Sequence, residues 1–96
     1  MVLAGEQPRI LVVDDDAGQR LLTGAALAQG GFAVLDAADG EQALSLLQRE
    51  LPHLVLLDVM MPGLDGFAVC ERLRRLPGGR HLPVIMVTGL DDLESI

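Results

Sequence analysis

The chain contains no lysine, no tryptophan and no tyrosine, and only one cysteine and two phenylalanines. Each scarcity excludes something. Arginine alone supplies the seven positive charges, set against 14 acids for a formal balance of −7. A nucleic-acid surface needs clustered positive charge, so that class of partner is not expected. The one basic cluster, Arg72, Arg74 and Arg75 with Arg80 nearby, reads as the solvated end of a helix, where cations complement the dipole. Phe32 and Phe67 are too few for a base-stacking platform. A single cysteine, Cys70, cannot close an internal disulfide, which suits a reducing cytoplasm. Its helical spacing marks it as a small buried hydrophobe. No apolar run approaches the length of a membrane span, and Met1 to Glu6 lack the basic region and long apolar core of a signal peptide. A glycine-rich phosphate loop with its lysine, a Gly-x-Ser-x-Gly elbow and a zinc-binding cysteine pair are all missing. ATP is therefore not expected as a direct substrate, and the expected setting is soluble and cytoplasmic.

What is present is enough apolar residue, 50% of 96, to build one small core. Residues 1–8 read as a lead-in ended by Pro8. Residues 9–14 are short, branched and apolar, which predicts a buried strand. Asp16, three before Gln19, caps a helix over 17–29 that Gly30-Gly31 stops. Gly24 inside that helix implies close packing, because glycine costs about 1 kcal/mol there against alanine. A second strand follows at 32–35. Asp39 with Gln42 opens a helix near 40–50, with Ala43, Leu44 and Leu47 on one face. Pro52 separates it from a strand at 53–58. Asp65, before Gly66, reads as an N-cap for a helix carrying Val69, Cys70, Leu73 and Leu76, ended by Pro77-Gly78-Gly79. A fourth strand covers 83–88, and 89–96 reads as a loop leading into another helix. Met61 is expected to fill a gap in the core, and His53 and His81 to lie at the surface.

Strand and helix alternate four times, which predicts an α/β fold with parallel pairing and helices on both faces of the sheet. The natural solution is a flavodoxin-like, doubly wound sheet with the first and third strands adjacent. That adjacency matters for chemistry. The first strand ends in Asp14-Asp15-Asp16 and the third in Asp58, so their carboxylates meet at the carboxyl edge of the sheet, where open α/β sheets bind ligands. Asp16 is assigned to capping. Asp14 and Asp15 exceed what a cap needs, and packed anions resist joint ionisation unless a cation sits among them. The cluster calls for a hard divalent ion, Mg²⁺, held by Asp14, Asp15, Asp58 and the main-chain carbonyl of Met60. Asp58 is also placed to act as a nucleophile toward phosphorus. Thr88, ending the fourth strand at the same edge, can donate to a phosphate oxygen, and Gly89 lets a backbone N–H approach equally closely.

Three stretches now carry a resemblance: Val12-Val13-Asp14-Asp15-Asp16, Leu56-Leu57-Asp58-Val59-Met60-Met61-Pro62-Gly63-Leu64-Asp65-Gly66, and Pro83-Val84-Ile85-Met86-Val87-Thr88-Gly89. Together and in this order they resemble the receiver domain of two-component response regulators, over residues 9–96. The resemblance implies that Asp58 is the phosphoacceptor, taking a phosphoryl group from a phosphohistidine on a sensor histidine kinase or histidine phosphotransfer protein. It implies that Asp14 and Asp15, with Asp58 and the Met60 carbonyl, hold Mg²⁺, and that Thr88 is the switch hydroxyl. Met60 and Leu90 match two positions that tune loss of the phosphoryl group to water, and both are apolar here. The family also has a lysine at the end of a fifth strand, then a last helix, and the chain stops before both. The expected order is thus 2-1-3-4, in a fragment of a longer bacterial regulator with a possible output domain beyond Ile96.

Two other readings are distinguishable. In one, the incomplete receiver is incompetent for phosphorylation and serves as an interaction module, dimerising through its exposed fourth strand. In the other, the chain is an aspartate-nucleophile hydrolase. Such enzymes carry a second acid two residues after the nucleophile, and Met60 occupies that place.

Overall fold

β1 (Arg9–Val13) runs through the middle of the molecule and contributes four consecutive buried residues, Ile10 to Val13. Near-continuous burial is what a parallel strand covered on both faces requires. The computed structural model describes residues 6–87. After β1 come α1 (Ala17–Gln29), β2 (Ala33–Ala37), α2 (Gly40–Arg49), β3 (Leu54–Asp58), α3 (Gly66–Leu73) and β4 (Val84–Val87). The sheet order is β2-β1-β3-β4, with every neighbouring pair parallel. This is the flavodoxin-like α/β arrangement expected from the alternation of elements. The expected helix after residue 89 lies outside the described residues.

Register places Leu11, Leu35, Val55 and Val84 in one row, and Val13, Ala37, Leu57 and Met86 in the next. These rows face α2 and α3, and with Ala43, Leu44, Leu47, Val69 and Leu73 they form the core, into which Met61 also packs. The intervening residues face the other way, toward α1, which packs chiefly on β2 and β1. Helix α1 has no fully buried residue, and Leu21, Leu22, Ile85 and Val87 are all exposed. The two faces of the sheet are therefore unequally covered.

The three helices among the described residues all start on aspartate. Asp16, Asp39 and Asp65 accept from the N–H of Gln19, Gln42 and Ala68 at 2.8–2.9 Å, each satisfying one orphan donor. The Gln42 side chain accepts from Ala38 N–H rather than returning to the cap residue.

Several details depart from expectation. A Cβ at Gly24 would lie 3.5 Å from Val34 Cγ1, ordinary contact, so tight packing does not explain this glycine. Arg74 is half-buried, with Nη1 donating to the carbonyls of Gly79 and Leu82, so it ties the end of α3 to the approach of β4 instead of facing water. Helix α3 ends at Leu73, short of Leu76, where the backbone changes to i→i−3 bonds. Cys70 is half-buried against the core rather than fully enclosed. His53 is also half-buried, and its Nδ1 accepts from Arg9 N–H at 2.9 Å.

Candidate functional site

Because β1 and β3 are parallel neighbours, both carboxyl ends emerge at one edge, and the chain order makes this the switch point of the sheet. Carboxylate oxygens of Asp14, Asp15 and Asp58 lie within 4.8 Å of one another there. Asp14 and Asp58 are half-buried and Asp15 is exposed. At about 4 Å, two such charges repel by roughly 1 kcal/mol in bulk water and about 4 kcal/mol near a protein surface.

The surroundings fix two of these groups closely. Asp58 Oδ1 accepts from Met60 N–H at 3.0 Å, which orients the carboxylate. Asp14 Oδ1 accepts from Asp16 N–H at 3.0 Å, and Asp14 N–H donates to Ala37 O at 3.2 Å. Burial raises the Asp58 carboxyl above the usual carboxylate range. The Met60 N–H pulls it down, and the charges of Asp14 and Asp15 and a hydrogen bond with Asp14 raise it further. Behind Asp58 the chain is held by Val59 N–H to Val87 O and Gly66 N–H to Val59 O, both 3.2 Å. Gly66 has a steric reason: a Cβ there would sit 2.6 Å from the Asp58 carbonyl oxygen.

The acids form the rim of an open cleft of about 620 Å³, whose floor is Val12, Leu56 and Val87 and whose α1 wall presents Gln19 and Thr23. The donor set is three carboxylates with no sulfur or imidazole, which suits a hard, oxygen-seeking cation such as Mg²⁺.

Sequence reasoning thus anticipated the convergence of Asp14, Asp15 and Asp58 and the caps at Asp16 and Asp65. Met60 is adjacent, its side chain turned out to solvent. Thr88, Gly89 and Leu90 lie outside the described residues. Sequence reasoning missed Arg20, whose guanidinium donates to the Asp14 carbonyl and to Asp36. No local pattern marks that contact, since it depends on which face of β2 carries Asp36.

Fold and site together define a flavodoxin-like domain with an acidic, cation-seeking edge at its switch point. Residues 10–96 match the family model for the response regulator receiver domain, and the chain belongs to that family. It is 52% identical over 84 residues to the response regulator PleD of Caulobacter vibrioides, covering 86% of this chain and 18% of PleD. It is 47% identical over 90 residues to the probable transcriptional regulator ycf27 of Porphyridium aerugineum, covering 94% of this chain and 36% of that protein. The solved structure of a putative response regulator from Chloroflexus aurantiacus aligns with a TM-score of 0.85 at 34% identity, covering 94% of this chain and 74% of that one. The chain therefore spans about a third or less of these two curated relatives. Receiver domains of two-component systems are signalling modules that interact with histidine kinases and output domains. Among the described residues no helix is long and apolar enough to cross a membrane.

Proposed function

We propose that this domain is a phosphorelay receiver, in which Asp58 accepts a phosphoryl group from a phosphohistidine on a sensor histidine kinase or histidine phosphotransfer protein. The observation carrying this reading is the meeting of three carboxylates from adjacent strand ends at an open cleft, with Asp58 Oδ1 held by the Met60 N–H. Asp14, Asp15 and Asp58, with the main-chain carbonyl of Met60, would hold Mg²⁺. When bound, Mg²⁺ offsets the negative charge of the carboxylates and of the incoming phosphoryl oxygens.

An Asp58 carboxylate oxygen forms the new bond to phosphorus while the phosphorus–nitrogen bond breaks. The imidazole nitrogen leaves with the electron pair and is protonated by solvent. Met60 N–H keeps the attacking carboxylate from rotating away. The Thr88 hydroxyl and the Gly89 N–H take phosphoryl oxygens, and Thr88 moves with the modification. Phosphorylation adds about −1.5 to −2 charge at neutral pH, enough to bias a two-state loop arrangement. Met60 and Leu90 are apolar, so neither can activate or steer a water toward the acyl phosphate. The domain catalyses only its own phosphorylation and dephosphorylation. A cytoplasmic setting, an output domain beyond Ile96 and pairing of copies through β4 belong to the same proposal.

Incubation of the intact protein with Mg²⁺ and a small acyl-phosphate donor should add the mass of one phosphoryl group, stable in acid and labile in base. Asp58→Asn should abolish the gain. An unchanged native mass, or an identical gain in Asp58→Asn, would remove the proposal.

A further inference from the structure

The guanidinium of Arg20 is tied at both ends of its fork. Nη1 donates to the main-chain oxygen of Asp14 at 2.7 Å, and Nε to Asp36 Oδ2 at 3.1 Å. The side chain is only 18% exposed, although it leaves from a helix with no fully buried residue. Asp36 lies opposite Val12 in the β1–β2 ladder, so the arm reaches from α1 past the end of β1 to β2. Asp14 is consequently held at three points: its N–H by Ala37 O, its carbonyl by Arg20, and its carboxylate by Asp16 N–H.

We infer that Arg20 is a positioning residue for the acidic site. By joining the Asp14 carbonyl to Asp36, it holds the β1–α1 turn closed against the mutual repulsion of Asp14, Asp15 and Asp58. The inference rests on the Mg²⁺ reading above. Two of the three acids ride on that turn, and Asp15 and Asp16 are exposed, with no packing of their own to stop the turn from opening. A planar fork fixes two acceptors at once, which a lysine ammonium on a flexible stem does not do. Groups that orient metal ligands in this way typically matter about 10–100-fold in metal affinity.

Charge alone predicts the opposite sign. A cation beside three anions competes with Mg²⁺, so if Arg20 acted only through its field, removing it would tighten binding. If it acts as a clamp, removing it weakens binding.

The experiment titrates Mg²⁺ into the intact protein, followed by amide NMR shifts of residues 14–16, with metal-free melting of each variant by circular dichroism. Arg20→Ala should bind Mg²⁺ at least about 10-fold more weakly than the native protein. Arg20→Lys, which keeps the charge and loses the fork, should fall between them. Arg9→Ala removes an arginine at the opposite end of the sheet, where it binds Leu51 O and Glu50, and should keep native affinity whatever its melting temperature. Unchanged or tighter binding in Arg20→Ala overturns the inference, as does equal weakening in Arg9→Ala. If Arg20→Ala shows no melting transition, Arg20→Lys decides, and native affinity there overturns it. Failure of the native protein to bind Mg²⁺ removes the underlying reading as well. Native binding with indifferent Arg20 variants removes only the clamp.

Discussion

Burial raises the Asp58 carboxyl, the Met60 N–H partly counters it, and Asp14 and Asp15 add to the rise. A carboxyl raised in the folded state binds more protons there than in the unfolded chain, so metal-free stability falls as pH rises from the ordinary value of 3.8 through the folded value. Asp58→Asn should therefore raise the metal-free melting temperature at neutral pH and flatten that decline, as thermal melts across pH would show. Adding Mg²⁺ should oppose the loss, contributing about 2.7 kcal/mol at a hundredfold excess over its dissociation constant. In Asp15→Ala most of that gain should vanish, which a melt with and without Mg²⁺ measures. At this scale the acids were legible because each closes an apolar run, a signal confined to a few adjacent positions. The Arg20–Asp36 arm was not, because Asp36 reaches α1 only through the parity of β2 against β1.

The elements were legible by their punctuation. Asp16, Asp39 and Asp65 each announce a helix and each caps one, and paired glycines or proline mark the stops. Helix α3 ends earlier than its apolar spacing implies: beyond Leu73 the backbone tightens to i→i−3 bonds, Arg75 N–H to Arg72 O and Leu76 N–H to Leu73 O, which keep Leu76 against the core without continuing the α-helix. The β3–α3 connection carries its own constraint. A Cβ at Gly66 would meet the Asp58 carbonyl at 2.6 Å and Val59 Cα at 2.9 Å, both backbone atoms that cannot swing aside. Gly66→Ala should cost about 1–3 kcal/mol in urea unfolding. It should also reduce phosphoryl uptake beyond the stability loss, because the displaced backbone carries Asp58. Full uptake at native rate in a folded Gly66→Ala protein would show the loop to be more pliable than its packing implies.

At the scale of the molecule, the sheet is sealed by α2 and α3 on one side and half-covered by α1 on the other, with Ile85 and Val87 exposed on β4. The proposed pairing of copies through β4 is tested by a charge on that surface: Ile85→Lys should abolish concentration-dependent association in sedimentation velocity while changing unfolding free energy by no more than about 0.5 kcal/mol. The strand order has a further consequence for the nascent chain. β1 is made first, yet both its neighbours, β2 and β3, come later. At about 5–20 residues per second, the tract Ile10–Val13 waits roughly 2–10 s on the ribosome before β3 emerges. Until β2 emerges it has no mate, and until β3 emerges one of its two edges stays open, flanked by Arg9 on one side and by Asp14, Asp15 and Asp16 on the other. The acids proposed to hold a cation in the folded domain are thus also placed to act beforehand as gatekeepers against misassembly.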